Sequence, residues 1–130
     1  VDPKKFRDKH GPEYKIQKAV IRFLEDRGWH VERLIGNQLQ TGIPDIFLMH
    51  PKHGTRWVDI KVPGGGNYTK AQIAKWPVWE KHGCGVWILT AATEEEYDKL
   101  FQPANMRDYW RDRYNLPTID ELTDELLETK

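Results

Sequence analysis

The sequence has a single cysteine, Cys84, so no disulfide can close within the chain, and one thiol says nothing about compartment. Its five histidines, His10, His30, His50, His53 and His82, fall at none of the spacings that hold zinc, so a structural zinc site is not expected. No apolar run approaches the ~18–20 residues that cross a bilayer, and no signal-peptide pattern opens the chain. These absences lead to the expectation of a soluble, intracellular protein. Net charge is missing too: 20 Lys and Arg balance 20 Asp and Glu. A chain with no net charge is not a general nucleic-acid glue. Repeats and low-complexity segments are also absent.

What is present suits one core. The 130 residues are near the commonest size for one domain, and 38% are hydrophobic, with six Trp, five Tyr and four Phe. One domain over residues 1–130 is expected. The charges are segregated along it. Residues 1–83 hold 15 Lys and Arg against 9 Asp and Glu, an excess of six positive charges; residues 84–130 hold 5 against 11, an excess of six negative. That asymmetry suits a polyanion-binding face backed by an acidic flank, and equally suits two solvated surfaces.

Ile16, Ala19, Val20, Phe23 and Leu24 recur at the spacing of one helix face, predicting a helix over 13–27. Gly11-Pro12 starts it and Gly28 stops it. Residues 29–35 read as a strand, followed by a polar loop over 36–42. Residues 45–49 and 56–62 read as an antiparallel pair around Pro51, His53 and Gly54. Thr69 is the expected N-cap of a second helix, kinked or split at Pro77 and ended by Gly83. Residues 85–89 form a short apolar strand suited to a buried position. Thr93-Glu94-Glu95-Glu96 and Thr118-Ile119-Asp120-Glu121 are capping-box patterns, with a further short helix expected over 106–114. The order is α-β-β-β-α-β followed by helices: an α/β domain with a core over about 11–90 and a C-terminal helical extension over about 91–130.

The strand pair carries the chemistry. A turn centred near Lys52 sets Asp45 opposite Asp59, and strand alternation then puts Asp45, Asp59 and Lys61 on one face. Ile46, Leu48, Val58, Ile60 and Val62 fill the other, so a one-residue slip would expose the apolar set. Two carboxylates facing each other repel unless something positive sits between them. Lys61 is one candidate and a divalent metal a better one. Hard cations such as Mg²⁺ take carboxylate, water and phosphate oxygens, and in phosphodiester hydrolysis they stabilise the phosphate and acidify the attacking water. A lysine two residues from a ligand can orient that water or neutralise developing charge.

A third acid comes from the first helix. At about 100° per residue, Glu13 falls about 60° round from Ile16, between Val20 and Leu24, and Gln17 lies at the stripe's edge, about 100° round. A carboxylate there either meets a partner or serves the helix dipole from the first turn.

Gly42-Ile43-Pro44-Asp45 followed by Asp59-Ile60-Lys61 resembles the PD-(D/E)xK nuclease signature. More closely, the chain resembles the VRR-NUC branch, with Glu13 and Gln17 one turn apart on the N-terminal helix, Thr69 and Gln72 opening the next, and Gly83 or Gly85 before the last core strand. The resemblance covers residues 11–90 and departs at Asp59, where VRR-NUC members more often carry Glu. It implies a restriction-endonuclease-like core, a mixed sheet flanked by helices. It also implies a divalent-metal-dependent endonuclease with Mg²⁺ or Mn²⁺ held by Asp45, Asp59, the Ile60 carbonyl and Glu13. Lys61 would act on the nucleophile, with Gln72 in support. Gln17, Lys18, Gly65, Asn67 and Lys70 are the expected contacts to nucleic acid. Stand-alone members of this size imply a homodimer acting on branched DNA in the cytoplasm of a bacterium or phage-infected host.

Other features have two readings each. Gly64-Gly65-Gly66 is a connector or a phosphate cradle, and lacks the spacing and Lys-Ser/Thr of a P-loop. Cys84 reads as core rather than nucleophile. Trp57, Trp76, Trp79 and Trp87 read mostly as core, although any that are exposed, with Tyr68, could stack on unpaired bases. Tyr109, Trp110 and Tyr114 could cover the core or form a dimer contact. The alternative to an enzyme is a non-cleaving nucleic-acid-binding or assembly module that keeps the fold.

Overall fold

The computed structural model describes residues 3–34, 42–64, 68–106 and 108–109. Pro3–Glu25 (α1) leads to His30–Arg33 (β1), Ile46–His50 (β2), Gly54–Ile60 (β3), Lys70–Lys81 (α2), Val86–Leu89 (β4) and Glu94–Asp98 (α3), with a 3-10 turn at Lys99–Phe101. The strands form one sheet in the order β1-β2-β3-β4. The first three run antiparallel and β4 lies parallel to β3. This is the α-β-β-β-α-β order and mixed sheet expected from the sequence.

α1 is interrupted at Gly11, whose φ of 61° and ψ of −155° are outside the helical region, and Pro12 opens the segment after it. A fixed φ and a missing N–H cost nothing at a first helical position, so Gly11-Pro12 restarts a helix that carries Glu13 in its first turn. Its apolar stripe lies on one face of the sheet. Val20 and Leu24 pack with Ile46, Leu48, Val58 and Ile60 in a core that also takes Trp29, Leu89 and Leu100. On the other face α2 seats Trp76 against Val86, Ile88 and Met106, with Trp57, Tyr68, Trp79 and Tyr109 around them. Each fully buried large apolar side chain contributes about 1.5–3 kcal/mol, so the alternation of β2 and β3 fixes which residues face which helix. Leu100 and Met106, from beyond residue 90, sit in the two clusters.

Several details differ from expectation. β1 begins at His30, since Trp29 is buried and donates from its indole to the Tyr97 hydroxyl at 3.0 Å. α2 is not split at Pro77 and runs unbroken through it. Proline there removes one backbone donor, and Gln72 and Trp76, buried one turn apart, hold the helix to the sheet. Only half of the capping box at Thr93 forms. Thr93 accepts from the Glu96 amide, but the Glu96 carboxylate turns to the Thr90 amide and hydroxyl and to Lys99. Val62, expected in the apolar set, is half-buried. The predicted helix at Thr118, with Trp110 and Tyr114, lies outside the described residues, as do Gly65, Asn67 and most of the loop over 36–42.

Candidate metal centre

The hairpin register sets the geometry. Ile46 pairs with Val58, and continuing that register one step puts Asp45 opposite Asp59 at the mouth of the strand pair. The two carboxylates reach across it by cross-bonding to backbone. Asp59 Oδ1 accepts from the Asp45 amide at 3.1 Å, and Asp45 Oδ2 accepts from the Ile60 amide at 2.9 Å. Each bond fixes one oxygen of its carboxylate. Glu13 arrives from the restarted helix. One carboxylate oxygen from each of Glu13, Asp45 and Asp59 comes within 4.8 Å of the others.

Lys61 faces these acids. It is buried, and its Nζ lies 3.0 Å from Asp59 Oδ2. That contact is an ion pair, and Asp59 Oδ2 has no hydrogen-bond donor among the described residues. Lys61 Nζ donates instead to Gln72 Oε1 at 3.2 Å and sits 4.6 Å from the centroid of the Tyr68 ring. Gln72 is placed by the start of α2. Thr69 Oγ1 accepts from the Gln72 amide at 3.1 Å, and Gln72 Oε1 accepts from the Thr69 amide at 3.0 Å. The capping box therefore also orients the carbonyl that takes the lysine proton donor.

Gly42 ties this helix to the loop that delivers Asp45. Its φ is 84°, and a Cβ there would lie 3.0 Å from the carbonyl carbon and oxygen of Ala71. Its own carbonyl accepts from the Trp76 indole at 2.6 Å. Only glycine suits a positive φ against another segment's backbone.

Crowding three acids in a poorly hydrated site raises their proton affinities. Burial and the neighbouring Asp45 charge, against the pull of Lys61, push the Asp59 carboxyl up to about 8. Burial also raises Asp45, offset in part by the Ile60 amide and Lys61. Glu13 is raised by burial, opposed by Lys61 and reinforced by Asp45. Such a cluster is short of positive charge. All its donors are hard oxygens, and one buried oxygen, Asp59 Oδ2, has no hydrogen-bond donor among the described residues, which is the chemistry a divalent cation fits.

Among solved structures, one described as a VRR_NUC domain is similar to this chain, with a TM-score of 0.54. The match covers 78% of this chain and 96% of that one, at 19% sequence identity. The fold is that of a VRR_NUC domain. No protein-family model matches the sequence, and no curated protein matches it. At this identity the likeness establishes the VRR_NUC nuclease-type fold, and the chemistry rests on the residues.

The structure brings together Glu13, Asp45, Asp59, Lys61 and Gln72, all singled out in the sequence. Ile60 lies between Asp59 and Lys61 with its side chain in the core and its amide on Asp45. Gln17 is not in the carboxylate cluster; its Oε1 accepts from Arg33 Nε at 2.8 Å. Lys18 and Lys70 are exposed. Trp76 is fully buried while Trp57, Trp79 and Trp87 are half-buried, as is Cys84. Sequence reasoning missed Arg33 and Tyr14, which meet beside the cluster. A charged residue ending a polar strand looks solvated, and only the placement of α1 against β1 reveals the contact.

Proposed function

We propose that the chain is a divalent-metal-dependent nuclease that hydrolyses phosphodiester bonds in DNA. The observation that carries the reading is the convergence of Glu13, Asp45 and Asp59 within 4.8 Å, with Lys61 Nζ 3.0 Å from Asp59. A binding module has no need to bury mutually repelling acids on a nuclease fold.

Asp45, Asp59 and Glu13, with the Ile60 carbonyl, would hold Mg²⁺ or Mn²⁺. When bound, such an ion supplies charge stabilisation to the phosphate oxygens and a more acidic water. Lys61, as an ammonium fixed by Gln72 and Asp59, orients the attacking water and balances charge building on the phosphate. Gln72 acts through Lys61 and touches no reacting atom. The water attacks phosphorus, the bond to the departing sugar oxygen breaks, and a proton from the water ends on solvent or on that oxygen. Branched DNA as the preferred substrate, a homodimer that serves two strands, and a cytoplasmic location belong to the same proposal and rest on the sequence resemblance.

The test is cleavage of single-stranded, duplex, flap and four-way-junction DNA by folded protein, with Mg²⁺, with Mn²⁺ and with EDTA. Cutting that requires metal is expected, and the fastest substrate reports the selectivity. Folded protein that cuts none of these with either metal would contradict the reading and favour the non-cleaving module.

A further inference from the structure

One cation beside the carboxylate cluster is held in a fixed pose and has no part in the chemistry above. Arg33 ends β1, and the amide of the next residue, Leu34, donates to the Asp45 carbonyl at 2.9 Å. The Arg33 side chain reaches the restarted segment of α1. There its Nε donates to Gln17 Oε1 at 2.8 Å, and its guanidinium carbon lies 4.8 Å from the centroid of the Tyr14 ring. Tyr14 adjoins Glu13 in sequence, and Gln17 lies one turn on. The guanidinium therefore links the helix that supplies Glu13 to the strand end whose next residue bonds to Asp45.

Arg33 is exposed and forms no ion pair with an acid among the described residues. Its Nε is engaged and one face lies toward an aromatic ring. The edge formed by Nη1 and Nη2 is the part that two oxygens of a phosphate match. An arginine already held at two points loses less side-chain freedom on binding than a free surface lysine. Lys18, exposed, places its ammonium 5.8 Å from the same Tyr14 ring and adds a second charge to the patch.

We propose that Arg33, oriented by Gln17 and Tyr14, binds a backbone phosphate adjoining the one that is cleaved and so lays the strand across the three carboxylates. This deepens the nuclease reading and rests on it. It also gives Gln17 a specific task, that of orienting Arg33 rather than touching nucleic acid itself.

The experiment measures binding of fluorescein-labelled single-stranded and duplex DNA in EDTA over a NaCl series, by anisotropy, and cleavage kinetics in Mn²⁺. It compares the wild type with Arg33→Gln and Arg33→Lys. Arg33→Gln is expected to weaken binding about tenfold, the loss of one charge-assisted contact. It should also lower the slope of log affinity against log salt by about one, and raise KM more than it lowers kcat. Arg33→Lys should recover the slope but only part of the affinity, because an ammonium keeps the charge and loses the two-pronged edge. Melting temperature should stay within error in both variants. An unchanged salt slope and KM in Arg33→Gln would overturn the proposal, as would a lower melting temperature with unaltered DNA binding. A wild type that binds DNA but never cleaves it would sink the nuclease reading alone, since the salt series still reads Arg33.

Discussion

Asp59 holds the sharpest conflict in the molecule. Its carboxylate is buried, faces Asp45 across the strand pair and is near Glu13, with Lys61 as the ammonium in contact. Replacing it with Asn removes one of the repelling charges while keeping the shape. Asp59→Asn also leaves the buried Lys61 ammonium without its anionic partner, so the variant is expected to melt no higher than the wild type in EDTA and to lose the rise in melting temperature that Mn²⁺ gives. Equal Mn²⁺ shifts in both proteins would remove Asp59 from the ligand set. The same residue makes stability depend on pH. Its carboxyl is raised from 3.8 to about 8, so between those values the folded chain keeps a proton that the unfolded chain has released. A raised acid contributes stability at low pH that is lost as pH climbs through the folded value. Glu13 and Asp45, also raised, add in the same direction. Glu96 shifts the other way, and its contribution is lost only as the pH falls below its ordinary 4.5. Metal-free protein should thus lose melting temperature between about pH 5 and 8, while the Mn²⁺-induced shift grows over the same range as metal displaces protons. A Mn²⁺ shift that shrinks with rising pH would contradict this.

At the scale of elements, two junctions set the site, and they were not equally legible. The hairpin was readable because period-two alternation and one turn position determine register, and the observed pairing of Ile46 with Val58 is the pairing that alternation demands. The start of α2 was readable from Thr69 and Gln72, whose reciprocal bonds are local in sequence. The docking of that helix onto the loop before Asp45 was not, because it depends on the contact between Gly42 and Ala71, far apart in the chain. Gly42→Ala would combine a strained φ of 84° with a 3.0 Å approach to backbone that cannot move aside. It is expected to cost more than about 1 kcal/mol in denaturant unfolding and to blunt the Mn²⁺ response by shifting Asp45. Full stability and an unaltered Mn²⁺ response would show that the junction is more pliant than its geometry indicates. At Pro77 the helix is not split, because Gln72 and Trp76, buried one turn apart, clamp it to the sheet.

For the whole molecule, the fold places two apolar faces of one sheet under α1 and α2 and opens the ends of β2 and β3 into a site that both helices reach. The sequence made the fold class visible because helix and strand periodicities were separate and ordered. It left Glu13 open between a helix-dipole role and a site role, since a wheel projection gives direction but no distance. Arg33 stayed hidden for the same reason. The basic excess of residues 1–83 includes Arg33, Lys61 and the exposed Lys18 and Lys70, a distribution that suits a polyanion-binding face. The most direct measurement of the central claim is Mn²⁺-dependent DNA cleavage by Lys61→Ala beside the wild type, with the Mn²⁺ melting shift recorded for both. The expected result is a variant that folds and still responds to Mn²⁺ but cuts at least about a hundredfold more slowly, as for loss of a charge-stabilising group. Equal cutting by the two proteins would contradict the role of Lys61 and, with it, the identity of the active site.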